Sequence, residues 1–91
     1  MKDLQANNLF KKGLKKVTKR GKDQGKLRPI IEALLSDEPL PHNARPHKLS
    51  GEWEGSWECH VEGDWLLIYT YDDDSVTLYA TGTHQDLFKK Y

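Results

Sequence analysis

Cysteine is nearly absent from this chain: Cys59 is alone among 91 residues, which excludes an internal disulfide. Long apolar runs are missing too, and nothing approaches the roughly 18 consecutive apolar residues that a membrane-spanning helix needs. The opening M-K-D-L-Q-A-N-N lacks the apolar stretch of a secretory signal, so a reducing cytoplasm is the expected compartment. Internal repeats and low-complexity tracts are lacking, and net charge is zero, with 14 Lys/Arg balancing 14 Asp/Glu. What is present, 36% hydrophobic and 31% charged residues, suits a single domain over residues 1–91 with one modest core.

The neutral total conceals a division along the chain. Residues 1–28 hold ten Lys/Arg against Asp3 and Asp23, a local +8, and the remainder carries −8. A polyanion responds to local potential within a Debye length of about 8–10 Å, so the lysine-rich first third, with Lys11, Lys15 and Lys19, is a candidate nucleic-acid face. The competing reading is a solvated amphipathic helix.

Periodicity sets the layout. Leu9 or Phe10, Leu14 and Val17 recur at helical spacing among lysines, which predicts a helix over roughly residues 4–19, broken by Gly21 and Gly25. Leu27, Ile30, Ile31, Leu34 and Leu35 predict a second helix over about 26–36, with Pro29 tolerable only in its first turn. Pro39, Pro41 and Pro46 mark an irregular connection.

From Pro46 onward the period changes to two. Residues 53–62 read as a strand with Trp57, Cys59 and Val61 on one face and Glu58, His60 and Glu62 on the other. Gly63-Asp64 makes a turn, 65–71 the most apolar strand, 72–75 a second turn and 76–81 the last strand. Gly82 then releases Thr83 and His84 toward the sheet edge, and Leu87 and Phe88 begin a short terminal segment. The expected class is α+β, a helical hairpin packed on a small antiparallel sheet.

Within this frame His47, His60, Asp64 and His84 are the candidate catalytic residues, in the segments P-H-K-L-S-G, C-H-V-E-G-D-W and T-G-T-H-Q-D-L-F. Imidazoles exchange protons near neutral pH, and several beside a carboxylate suit phosphodiester cleavage by the RNA's own 2′-hydroxyl: a base takes that proton and an acid protonates the leaving 5′-oxygen. Such a reaction needs no metal and no cofactor. A zinc site made from the same four side chains is the competing chemistry, but no H-x-x-x-H helix or paired cysteine motif supports it. Each residue taken alone also has an ordinary explanation, exposed loop histidines and a turn-forming aspartate. His42, in the proline-rich loop, joins no motif.

The order helix, helix, P-H-x-L-x-G, W-x-G-x-x-E-C-H-V-E-x-D-W-L-L-I-Y, T-G-T-H-x-x-L-F resembles the YafQ branch of the RelE superfamily, ribosome-dependent mRNA-cleaving toxins of bacterial toxin–antitoxin pairs. The specific part of the resemblance lies in residues 47–88; the N-terminal third matches in layout and basic character. It implies a RelE-like fold, cleavage of the codon in the ribosomal A site, contact with 16S rRNA, and silencing by a DinJ-type antitoxin. Promoter DNA would be bound only through the antitoxin complex. It also implies that His47, His60, Asp64 and His84 fall on functional positions and that Phe88 is an aromatic of the site. The preferred assignment makes His84 the principal proton-transfer residue, His60 its partner or a phosphate ligand, Asp64 an orienter and His47 a phosphate contact; which histidine is base and which acid stays open. Trp65 could stack on a base or anchor the central strand as a core residue.

Two positions depart from the family pattern. Ala80 stands where an arginine usually precedes T-G-T-H, which removes the natural counter-charge to a dianionic phosphorane. The activity is expected to be weakened; either Ala80 is an introduced detoxifying substitution, or it is a natural divergence for which another cation, Lys89, Lys90 or Arg45, substitutes. Trp57 stands where relatives commonly carry arginine or another polar residue, and alternation assigns it to core packing or, failing that, to altered RNA or antitoxin contact. The functional alternative to an endoribonuclease is a non-catalytic module that binds RNA, the ribosome or an antitoxin.

Overall fold

The computed structural model describes residues 1–88. Strand β1 (Asp3–Ala6) leads into helix α1 (Asn8–Lys19), and a 3-10 turn over Gln24–Leu27 opens helix α2 (Arg28–Leu35). After the proline-rich loop come β2 (His47–Lys48), β3 (Trp57–Glu62), β4 (Trp65–Tyr71), β5 (Ser75–Gly82) and the short helix α3 (His84–Leu87). The sheet order is β1-β5-β4-β3-β2, antiparallel except for β1, which runs parallel to β5. The α+β class holds, with this mixed sheet in place of a purely antiparallel one.

The first helix is shorter than its periodicity suggests. Residues 3–6 form a strand, and Asn7 then caps α1 by accepting a hydrogen bond from the Phe10 amide at 3.0 Å. β1 covers only the first half of β5, pairing Asp3–Ala6 with Ser75–Leu78, and among the described residues no strand lies beside residues 79–82 on that side. Pro29 does fall in the first turn of α2, where its missing N–H costs nothing.

The core fills the side of the sheet that faces the helices: Phe10, Val17, Leu27, Ile30 and Leu34 pack on Cys59, Trp65, Leu67, Tyr69, Val76 and Leu78. Trp57 and Val61 pack against this cluster, Trp57 with its ring 6.1 Å from Tyr71, so the core reading of Trp57 holds. Cys59 is fully buried, and burial, reinforced by neighbouring Glu58, pushes its thiol up to about 12, which leaves it unreactive. Gly13 brings α1 against β5, where any Cβ would overlap the Thr81 carbonyl oxygen.

Two β-bulges decide which side chains reach the other face. In β3 the register steps from His60 opposite Leu66 to Glu62 opposite Trp65, so Val61 is the extra residue. Simple alternation puts Glu62 beside His60; the bulge turns it toward the helices instead, where Lys22 and Lys26 each lie 3.7 Å away. In β5, Leu78 pairs with Tyr69 but Ala80 pairs with Ile68, so Tyr79 is extra and Ala80 leaves the core face. The face opposite the helices is therefore built in rows, His47–Glu58–Ile68–Ala80 and His60–Leu66–Gly82.

Candidate active site

The register of β4 and β5 assembles the centre of the site. Leu66 pairs with Gly82, and continuing that antiparallel pairing by two residues brings Asp64, in the β3–β4 turn, opposite His84 at the start of α3. The Asp64 carboxylate accepts from His84 twice, from ring Nδ1–H and from the backbone amide at 3.3 Å. The His84 side chain and backbone amide hold Asp64 below the usual carboxylate range, so it stays ionised at neutral pH. With Nδ1 committed, Nε2 of His84 is the nitrogen left for chemistry.

His60 enters from the adjacent row. Its ring centroid lies 6.2 Å from that of His84, close enough for both imidazoles to serve one phosphodiester. Phe88 lies 6.2 Å from His84 on another side and meets Trp53 edge-on at 6.3 Å, forming an aromatic border. The side chains of Asp64 and His84 are both more than half exposed, so the pair is open to a large substrate.

His47 shares the face but not this cluster. Its Nε2 is 3.1 Å from Oε1 of Glu58, and its Nδ1 is 3.4 Å from the carbonyl oxygen of Arg45, whose backbone is left-handed (φ 47°). Glu58 is only 4% exposed, so the His47 ring is the polar partner of a buried glutamate side chain.

Trp65 stands apart as well. It is 1% exposed on the helix-facing side, and its indole N–H donates to Thr81 Oγ1 at 2.7 Å, while that hydroxyl donates to the Leu66 carbonyl at 2.6 Å. Buried there, its ring offers no face to a base, and the core reading replaces the stacking one. Lys11, Lys15 and Lys19 lie exposed on α1 and make no ion pair among the described residues. The basic side chains that reach toward the site are instead Lys16 and Arg20, next to Asp86, and Lys22 and Lys26, next to Glu62. Of the cations that could stand in for an arginine at position 80, Lys89 and Lys90 lie outside the described residues. Among the described residues no three His, Cys, Asp or Glu side chains are disposed around one ion position.

Alternation placed Glu58 on the face of His60, but only the His47–Glu58 pairing gives it a role. A second group went unassigned although its signature, T-x-x-D at Thr83–Asp86, is a capping box. The Thr83 amide donates to Asp86 at 3.0 Å, and the Asp86 amide donates to Thr83 Oγ1 at 3.1 Å. Arg20 adds two contacts to Asp86, at 2.8 and 3.2 Å, tying the end of α1 to the turn that carries His84. Gly82 permits this closeness, because a Cβ there would come within 2.9 Å of Asp86.

The Arg20 guanidinium and the Thr83 amide hold Asp86 well below the usual carboxylate range. A depressed folded value means that this stabilisation is complete above the unfolded value, about pH 4, and is lost as pH falls toward and through the folded value. Asp86→Asn is expected to cost about 1 kcal/mol at neutral pH, or about 4–8 °C in Tm. Thermal melts across pH check the sign: the gap between variant and parent should close as the solution becomes acid.

Similarity to known proteins agrees with this geometry. The chain matches the family described as the bacterial toxin of type II toxin–antitoxin systems, YafQ, over residues 2–89. It is 38% identical over 88 residues, 96% of each chain, to the mRNA interferase toxin YafQ of Escherichia coli strain K12. The crystal structure of YafQ from E. coli BL21(DE3) superposes with a TM-score of 0.88 at 36% identity, covering 97% of this chain and 99% of that one. For the E. coli DinJ–YafQ complex the TM-score is 0.86 at 37% identity, with the same coverage. The chain belongs to the YafQ family of toxins from bacterial type II toxin–antitoxin systems.

Proposed function

We propose that this protein is an mRNA interferase that cuts codons in the ribosomal A site by metal-independent attack of the 2′-hydroxyl, and that a DinJ-type antitoxin silences it. The observation that carries the reading is the Asp64–His84–His60 arrangement. Asp64 fixes the His84 ring with Nδ1–H toward the carboxylate, so Nε2 can take or return a proton, and the same carboxylate stabilises the imidazolium that forms. His60 is the partner, for the second proton or for a phosphate oxygen. His47, held by Glu58, contacts the RNA backbone.

Asp64 and His84 are open to solvent, which leaves room for a message held in the A site, and the A site supplies the alignment of the strand. The contacts of the protein with 16S rRNA follow from the basic side of α1 and the turn after it. The relatives support the chemistry and the partner: one is named an mRNA interferase toxin, and another is seen in complex with DinJ. Promoter DNA is contacted only through the antitoxin complex. Alanine at position 80 leaves the rate attenuated unless another cation takes the arginine's place, and Arg45, which lines one groove with His60, is the described candidate.

Primer-extension mapping on translating ribosomes tests the reading. Cuts confined to A-site codons, undiminished by a chelator selective for transition metals that leaves the ribosomes' magnesium in place, are the expected result. Cuts on free RNA alone, or loss of cleavage on chelation with recovery on adding a metal, would overturn it.

A further inference from the structure

β2 covers β3 only at Trp57 and Glu58, and among the described residues no strand pairs with the rest of that edge, from Cys59 to Glu62. The loop carrying Asn43 and Arg45 stands over this open edge and leaves a groove of about 380 Å³ whose floor is apolar (Pro29, Ile30, Ala44) and whose rim is polar (Asn43, His60, Glu62). A smaller groove of about 160 Å³ shares Asn43, His60 and Glu62 with it and adds Arg45. The two form one channel that leads from Arg45, past a histidine of the catalytic cluster, toward Lys26.

From this geometry we infer that the channel is a nucleotide subsite, which receives the base next to the scissile phosphate and in which Asn43 sets the base preference. The inference rests on the proposed endoribonuclease reading, because it uses His60 as the point where the cleaved phosphate sits. Three observations carry it. His60 lines the groove and its ring lies 6.2 Å from that of His84, so one residue links the groove to the place of the phosphate. Its charge suits a polyanion: Lys22 and Lys26 neutralise Glu62, each at 3.7 Å, and Arg45 adds a further cation at the other end. Its lining suits a base, since an apolar floor accepts the ring faces while the polar rim meets the edge.

Asn43 fits the reading role. It is exposed in the 3-10 turn over residues 42–44, and its amide makes no hydrogen bond within the described residues, so both its NH2 and its carbonyl oxygen remain for a base edge. Arg45 has a different task. Its left-handed backbone turns its carbonyl to His47, and its side chain remains at the channel for a phosphate, which carries no base information.

The test uses the full chain and ribosomes programmed with messages whose A-site codon carries 2′-O-methyl groups, which blocks cleavage and lets affinity be read alone. Kd is measured over codons that differ at one position at a time. Asn43→Asp, nearly isosteric, should reorder the preference at a single codon position by about tenfold. Arg45→Ala should weaken every codon alike and flatten the dependence on salt. The inference is overturned if Asn43→Asp ranks all codons as the parent does. If the parent itself does not bind programmed ribosomes, the proposed function fails and takes the subsite with it; in the first case parent binding is intact, so the two failures are told apart.

Discussion

Replacing His84 with alanine is expected to slow codon cleavage on the ribosome about 10²- to 10⁴-fold, the usual contribution of a positioned proton-transfer group. Affinity for the programmed ribosome should change little, because the ring is one exposed side chain among the contacts. Asp64→Asn should lower the rate less, since the histidine remains and only the orientation of its ring and the stabilisation of its cation are lost. Single-turnover cleavage at saturating toxin, with binding measured in parallel, separates the two effects. A protein that merely binds RNA, the ribosome or an antitoxin would have no cleavage to lose, so a parent that cuts no codon would remove the enzyme reading, and equal measurable rates for His84→Ala and the parent would remove His84 from the chemistry.

The second large effect is a gain. Ala80→Arg is expected to raise the cleavage rate about 10²- to 10³-fold, the scale on which one preorganised donor facing a developing oxyanion acts. The structure adds a reason beyond the family pattern. The bulge at Tyr79 sets Ala80 on the same face as Glu58 and His47, in one row across the sheet. Strands lie about 4.8 Å apart, so a long side chain from position 80 extends over that face toward the buried carboxylate and the histidine paired with it. The added cation would then stand beside the cluster and compete with His47 for Glu58.

That substitution carries a cost in stability. Ala80 is 1% exposed, and a larger side chain must displace what covers it, which typically costs 1–3 kcal/mol. The variant should therefore be more active and melt lower than the parent. Growth arrest on induction, codon cleavage and Tm measured together check the pair. No gain in either functional assay would exclude the idea that alanine at this position attenuates the toxin, and would favour Arg45 as the cation that serves in its place.

Much of the layout was legible from the order of residues. The β4 strand was readable from its apolar run W-L-L-I-Y over 65–69, and α2 from its leucines and isoleucines with Pro29 in the first turn. Alternation assigned Cys59 to the core and His60 away from it. Of the candidate site, the four residues His47, His60, Asp64 and His84 were legible as a set through their motifs, although three of them form the cluster and His47 joins Glu58. β1 was not legible, because the helical period of the lysine-rich stretch runs into it and its pairing partner lies more than seventy residues away. Trp65 could be core or stacking residue until its burial against Thr81 decided the matter.

The sequence by itself determined α2 and the main strands, the histidines and aspartate available for proton transfer, and the concentration of positive charge in the first third, since these follow from local composition and period. Tertiary structure alone decided which of those side chains meet. Asp64 and His84 are twenty residues apart and touch because Leu66 pairs with Gly82; Glu62 and Ala80 change faces because Val61 and Tyr79 are the extra residues of two bulges. Where a strand takes up an extra residue depends on the packing of both sheet faces at once, against the helices on one side and around the site on the other. No local stretch of the chain contains that balance.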